Sequence, residues 1–210
     1  MKEDSKIIVV AITGGIGCGK SAVAEIIKNM GYIVISSDEN AKTVMVSNEK
    51  VRRKLISEFG EDIYFDDGKL NKDWLSKIVF GDSLDNEKSL AKLNSIVHPA
   101  VIEKLIEDVE YYEKSGEKIV FVESALTFEA QLEEGFDYII VVDAKEKVIF
   151  ERLKRSRNLS EEEIRFRMRQ QLSRELKKQH ADFVIENNGS LDELKKSVEI
   201  IVNILSRLVK

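Results

Sequence analysis

The stretch Ile7-Ile8-Val9-Val10-Ala11-Ile12-Thr13-Gly14-Gly15-Ile16-Gly17-Cys18-Gly19-Lys20-Ser21 decides how the rest of the chain is read. From Ile7 to Thr13 it is a short, continuous apolar run, the composition of a strand buried on both faces. Glycines follow at once. Beyond them Val23, Ile26, Ile27 and Met30 recur at helical spacing, and Gly31 is able to take the left-handed conformation that closes a helix. Strand, glycine loop and helix in that order are the context in which G-x-x-x-x-G-K-[ST] marks a phosphate-binding loop. Glycines let backbone N–H groups curl round an anion without Cβ clashes, and the following helix adds the positive end of its dipole. Gly14, Gly15, Ile16, Gly17, Cys18 and Gly19 are therefore expected to cradle a nucleotide. Lys20 is expected to reach its β and γ phosphates, and Ser21 to hold Mg²⁺. The competing reading, a glycine-rich turn with an incidental lysine, leaves the flanking strand and helix without a use.

Composition sets the limits. A chain of 210 residues can bury a substantial core, as one domain with an inserted or appended subdomain. Hydrophobic residues at 43% and charged residues at 34% describe a folded, water-exposed protein rather than a disordered one. The longest apolar runs fall well short of a bilayer span, and Met1-Lys2-Glu3-Asp4-Ser5-Lys6 is too polar and acidic for a signal peptide. No membrane partner is expected. The single cysteine, Cys18, rules out an internal disulfide framework and fits a reducing cytoplasm. A net charge of −5 argues against nucleic acid as a partner, so any anion site is made by local charge. The expected assembly is a monomer or a weak homo-oligomer.

After Gly31, Tyr32 to Ile35 reads as a second strand, with Ser36-Ser37-Asp38 at its carboxyl end, where open α/β sheets bind ligands. Asp38 has two readings there, a group acting on substrate or an N-cap for the next helix. Glu49 to Phe59 and Lys72 to Phe80 read as amphipathic helices joined through a turn at Asp66-Asp67-Gly68. Leu90, Leu93, Ile96 and Val97 continue the helical pattern to His98-Pro99, and Pro99 is expected in the first turn of a helix from Ala100 to Tyr112. Residues from about 43 to 112 thus form a helical insertion between the second and third strands. His98 is either a capping or surface residue, or a polar contact to a second substrate. With His180 the only other histidine, a histidine zinc site is not expected.

Ile119 to Val122 reads as the third strand and ends at Glu123, either a metal-holding acid or a solvated strand end. Tyr138 to Val142 and Phe183 to Ile185 supply two more. The whole is an α/β fold of three layers, a parallel sheet of about five strands covered by helices. Between the last two strands, from about 145 to 180, basic residues outnumber acidic ones in an otherwise acidic chain. The surplus suits a helical lid that brings arginine to a transferred phosphoryl group. The alternative is a charged helix capped by Ser160 whose long side chains pair locally. Leu191, Leu194, Val198, Ile201, Val202, Leu205 and Leu208 read as the core-facing stripe of a last helix. Cys18 is expected to point away from the phosphates. It is either a small residue tolerated in the loop, or a redox brake on a thiol whose pKa the helix N-terminus lowers.

The loop alone serves GTPases, ATPases and kinases alike. No Asp-x-x-Gly follows a strand, and Asn71-Lys72-Asp73-Trp74 fails as a guanine-reading Asn-Lys-x-Asp. A compact core, an insertion after the second strand and a late arginine-rich segment match a small-molecule kinase. The residues then make a narrower match: Thr13 to Gly17 with Gly19-Lys20-Ser21; Asp38 with Ala41; Phe59-Gly60; Asp67-Gly68 with Leu70; Leu75 and Val79-Phe80; His98-Pro99; Leu126 with Phe128-Glu129; Arg152-Leu153; Gln171; and Ala181-Asp182 leading to Ile185, Asn187 and Gly189.

In that order and spacing the chain, nearly end to end, resembles the dephospho-CoA kinase family, which has a P-loop kinase fold. The resemblance implies transfer of the γ-phosphoryl group of ATP to the ribose 3′-hydroxyl of dephospho-CoA, with Mg²⁺, as the last step of coenzyme A synthesis. It implies Asp38 as the base toward that hydroxyl, Lys20 on the phosphates and Arg152 as the lid arginine. It further implies Lys72, His98 and Glu129 on the coenzyme side, Asn187, Asn188 and Gly189 near adenine, and Ser21 at the metal. Five positions depart from the family's pattern. Ser36 replaces the first acid of an Asp-x-Asp pair, Ala125 and Thr127 replace a proline and a leucine, and Lys72 replaces an arginine and so loses its two-pronged grip. Ser156 stands where a second lid arginine is usual, leaving Arg155 or Arg157 to substitute. Another nucleoside or nucleotide kinase, or an ATP sensor without catalysis, is the alternative.

Overall fold

The apolar runs become strands, and their carboxyl ends carry the loops that matter. In the computed structural model, which describes residues 7–79, 83–125, 127–157 and 160–209, these are β1 (Ile8–Gly14), β2 (Ile33–Ser36), β3 (Ile119–Glu123), β4 (Tyr138–Asp143) and β5 (Phe183–Glu186). Residues 1–6, Phe80 and Leu126, and the side chain of Arg157, fall outside the described residues. The strands form one sheet in the order β2-β3-β1-β4-β5, and every pairing is parallel. The parallel sheet expected from the sequence is therefore the one observed.

Nine α-helices occur among the described residues: α1 (Lys20–Asn29), α2 (Ser37–Ser47), α3 (Glu49–Phe59), α4 (Lys72–Val79), α5 (Leu84–Lys114), α6 (Glu146–Arg157), α7 (Glu161–Arg169), α8 (Arg174–Gln179) and α9 (Leu191–Leu208). The chain divides into two units, one comprising the sheet with residues up to 36 and from 109 onward, the other residues 37–108.

In the sheet unit, successive strand residues serve opposite faces. Val10, Ile12, Phe121, Ile140 and Val142 pack with Val23 and Ile27 of α1, Ile149 and Leu153 of α6, and Val198, Val202 and Leu205 of α9. Ala11, Ile139 and Val141 face the other way, onto Phe128. Each fully buried aliphatic side chain contributes about 1.5–3 kcal/mol, so this core dominates the fold. α9 begins with a capping box in which Ser190 accepts from Glu193 N. Its stripe is shorter than expected, because Leu191 and Leu208 at its ends are exposed while Leu194, Val198, Ile201, Val202 and Leu205 are buried.

The second unit is helical and has its own core of Val44, Met45, Val51, Leu55, Ile63, Leu70, Leu75, Val79, Val97 and Ala100. α3 starts at an Asn48 cap whose Oδ1 accepts from Lys50 N and Val51 N. One expectation fails here. Pro99 does not open a helix but lies inside α5, which runs unbroken from Leu84 to Lys114. An interior proline costs roughly 3 kcal/mol through a lost hydrogen bond and a clash. Leu90, Leu93, Ile96, Val97, Ala100 and Val101 on either side of it enter the same core, and that shared burial outweighs the cost.

Candidate active site

β1 delivers the chain into the loop through Gly14, whose φ is +148° and whose Cβ, if present, would lie 2.1 Å from the Val142 carbonyl oxygen. Only glycine lets the loop leave the sheet so close to β4. At the far end Gly19, at φ +99°, precedes α1, and a Cβ there would lie 2.2 Å from Asn187 Nδ2. Gly19 has no side chain with which to cap α1, so no N-cap side chain takes the first N–H groups of that helix.

Lys20 Nζ donates to the Gly14 and Gly15 carbonyl oxygens at 3.0 and 3.1 Å, which keeps its ammonium on the loop. Ser21 Oγ donates to Glu123 Oε1 at 2.7 Å. Sheet register explains that meeting. Glu123 closes β3 and is the Cα partner of Ile12 on one side and of Ser36 on the other, so its carboxylate stands beside the loop that β1 feeds. The two residues expected at the metal are thus brought together. Both offer hard oxygen donors, which fit Mg²⁺. No group of three or more His, Cys, Asp or Glu suited to a metal occurs among the described residues, and Mg²⁺ needs none, since it takes one or two carboxylates plus substrate phosphates and water.

The far side of the loop is held by residues from late in the chain. Asn187, buried at the end of β5, donates from Nδ2 to the Cys18 carbonyl at 2.9 Å, and its own N–H donates to the Asp143 carbonyl at 2.7 Å. Arg152 of α6 donates from Nη2 to Asn187 Oδ1 at 3.1 Å and from Nη1 to Cys18 O at 3.4 Å. Arg152 and Asn187 therefore converge on the Cys18–Gly19 peptide. Asn188 Oδ1 accepts from Lys145 N at 2.6 Å, and Gly189 leads into the Ser190 cap of α9. In the lid segment Lys154 pairs with Glu161 and Arg165 with Glu146, the local pairing of a charged helical surface, and Ser160 caps α7 as read.

Three features were not assigned a role from the sequence. Asp143, at the end of β4, is buried and receives Arg174 in a two-pronged contact, Nε to Oδ1 at 2.6 Å and Nη2 to Oδ2 at 2.8 Å, with Lys178 Nζ 2.6 Å from Oδ2. Burial pushes the Asp143 carboxyl up, but the donors Arg174 and Lys178 outweigh it and hold the group below its ordinary 3.8. An acid closing an apolar strand, as Glu123 does, was the available signal. Gln171 Oε1 accepts from Ile16 N at 2.9 Å. Lys177, 1% exposed, lies with its Nζ 2.7 Å from Glu129 Oε1.

Cys18 is fully buried and belongs to the main core, pointing inward as expected. Burial raises its thiol pKa above the ordinary 9.0, with Lys20 only partly offsetting the rise. A redox brake needs a lowered pKa, and here the direction is the reverse, because desolvation outweighs the lowering by Lys20, the Ala144 backbone and Arg174.

Asp38, Lys72 and His98 belong to the helical unit. Asp38 is not an N-cap. α2 already begins at Ser37, and Asp38 sits in its first turn. Lys72 opens α4. His98 lies in the middle of α5 rather than at a helix start, and burial lowers its imidazole pKa below 6.5. Glu129, in the sheet unit, has Oε1 taken by Lys177 and by Leu172 N at 3.1 Å, while its buried Oε2 has no hydrogen-bond partner among the described residues.

Comparison with known proteins bears on this arrangement. The model of the family described as "Dephospho-CoA kinase" matches residues 8–193. A Bacillus cereus protein named dephospho-CoA kinase is 35% identical over 195 residues, covering 93% of this chain and 96% of its own. The solved dephospho-CoA kinase from Campylobacter jejuni superposes with a TM-score of 0.70 at 26% identity, covering 95% of this chain and 97% of the other. Shikimate kinase from Acinetobacter baumannii shares the fold, with a TM-score of 0.55 at 15% identity over 100% of this chain and 99% of its own. A glycine loop held between β1 and α1, on a parallel sheet that superposes on these kinases, agrees with a family match over most of the chain's length: the chain belongs to the dephospho-CoA kinase family.

Proposed function

We propose that this chain transfers the γ-phosphoryl group of ATP to the ribose 3′-hydroxyl of dephospho-CoA, giving ADP and coenzyme A. The observation that carries the reading is the 2.7 Å contact of Ser21 with Glu123 beside an uncapped α1, in a chain of this family. Main-chain amides of Gly17 to Ser21 and the Lys20 ammonium bind the β and γ phosphates. Ser21 and Glu123 would hold Mg²⁺, which when bound would neutralise charge on those phosphates.

Asp38 follows Ser36, the sheet partner of Glu123, by two residues and acts as the base. It takes the proton of the 3′-hydroxyl as that oxygen bonds to the γ-phosphorus, and the bond from the γ-phosphorus to the bridging oxygen breaks with its electron pair going to ADP. Lys72 and His98 bind the coenzyme side, and burial keeps His98 neutral near pH 7, as a hydrogen-bonding rather than a charged group. Arg152 steadies charge on the transferred group, and Asn187 to Gly189 border adenine. Residues from about 43 to 112 supply acceptor binding, and about 145–180 the lid.

No helix among the described residues is long and apolar enough to cross a membrane. A coupled assay for ADP, with dephospho-CoA as acceptor and a panel of nucleosides and nucleotides beside it, tests the reading. ADP release that depends on dephospho-CoA, with coenzyme A as product, is expected. Turnover with another acceptor only, or none at all, refutes it.

A further inference from the structure

The peptide N–H of Ile16 lies on the phosphate loop, outside helix and strand, and its acceptor comes from 155 residues away, Gln171 Oε1 at 2.9 Å. The next residue is tied in a different direction. Leu172 N donates to Glu129 Oε1 at 3.1 Å, and the same oxygen lies 2.7 Å from Lys177 Nζ. Lys177 is carried by α8, whose Ser173 cap accepts from Leu176 N directly after this segment. A continuous path therefore runs from Lys177 through Glu129 and Leu172 to Gln171 and on to Ile16.

Burying a lysine is expensive, and a buried ion pair is a poor source of net stability, although it fixes geometry well. Here the geometry it fixes is that of the backbone at residue 172, and so the reach of the neighbouring side chain. Gln171 is also chemically suited to its place. An amide oxygen accepts the Ile16 proton without adding negative charge beside a loop built to receive a polyanion, as a carboxylate would.

We infer that Gln171 is a positioning residue for phosphoryl transfer, setting the shape of the Gly15–Gly17 turn, and that the Glu129–Lys177 pair acts through it. This rests on the kinase reading above and gives Glu129 a task other than contact with the coenzyme.

The test uses the full chain and the variants Q171L, E129A and Q171L/E129A, with kcat and KM measured beside amide hydrogen exchange at Ile16. Q171L is expected to lower kcat about 10- to 100-fold, the scale of a small misplacement, with KM for dephospho-CoA within about twofold. It should speed Ile16 exchange about tenfold or more, while Q171E, which keeps an acceptor oxygen, retains the protection. E129A should reproduce both effects of Q171L. The double variant should be no worse than about twofold below the poorer single, the mark of residues acting in series. If E129A does not fold, E129Q, which keeps an acceptor for Leu172 N but loses the charge that holds Lys177, is expected to give an intermediate loss.

A Q171L enzyme with kcat within twofold of the parent, or a double variant whose loss is the product of the singles, overturns the inference. Were the parent to transfer nothing to dephospho-CoA, the kinase reading would fall by itself. Ile16 exchange unchanged in Q171L would then still overturn the tether separately.

Discussion

Gly19→Ala strikes the loop where two independent costs meet. Residue 19 sits at φ +99°, and an L-residue held in left-handed backbone loses roughly 1–2 kcal/mol. The added Cβ would also stand 2.2 Å from Asn187 Nδ2, too close to coexist, so the Asn187 amide must leave the Cys18 carbonyl that it holds at 2.9 Å. Losing that buried bond costs about 1–3 kcal/mol, toward the lower end because Arg152 Nη1 stays within reach of the same oxygen. The sum is about 2–5 kcal/mol, and at about 2–4 °C per kcal/mol for a chain of this size, melting should fall by roughly 4–20 °C. Urea unfolding followed by circular dichroism measures the loss directly. The control is Asn187→Ala. In that background the clash is gone, and Gly19→Ala should cost only the backbone share, about 1–2 kcal/mol. An equal cost in both backgrounds would show that Asn187 is not what the methyl group meets, and a loss under about 0.5 kcal/mol would remove the left-handed requirement as well.

Four further outcomes are expected. Asp38→Asn should lower kcat by roughly 10² to 10⁴ with unfolding nearly unchanged, since a first-turn carboxylate contributes only about 0.3–1 kcal/mol to its helix; near-parental kcat would leave Asp38 a helix-dipole residue. Ser21→Ala should raise the Mg²⁺ concentration for half-maximal rate by about 10- to 100-fold, and an unmoved magnesium titration would separate the Ser21–Glu123 contact from the metal. Asp143→Asn should destabilise by about 1–3 kcal/mol at pH 7, less than the usual loss for a broken buried pair because Arg174 and Lys178 reach solvent. The folded pKa of Asp143 lies below 3.8, so its contribution is present well above that value and is lost as pH falls through the lower folded one; the gap between parent and variant should narrow as pH is taken below 3.8, and a constant gap would contradict the assignment. Cys18, buried and with a raised pKa, should resist thiol reagents at pH 8 in the folded protein, and stoichiometric modification within minutes would speak against that burial.

Much of the fold was legible because its signals are short-range. Ile8 to Thr13, Ile119 to Val122 and Tyr138 to Val142 are apolar runs that a parallel sheet buries on both faces, and each became a strand. The phosphate loop was legible for the same reason, its glycines, lysine and serine lying within eight consecutive positions. Pro99 was misread because its local chemistry favours a helix start, while the burial that keeps α5 whole comes from residues scattered over the helical unit. For Cys18 the sequence left two readings open. A helix terminus is visible in sequence, but the core burial that raises the thiol pKa is not.

What sequence alone determined, then, is the succession of strands and helices and the chemistry of the loop, since both depend on residues within a turn or two of one another. Tertiary structure decided which distant side chains complete that loop. Asn187 meets Cys18 across 169 positions and Gln171 meets Ile16 across 155. The sheet order puts β4 next to β1 and β5 next to β4, so the chain after β4 returns to the side of the sheet where the loop lies. Asp143 could be recognised as a buried anchor for Arg174 and Lys178 only once that order brought the three together. Strand order depends on how whole helices cover the sheet, and no local pattern of residues encodes it.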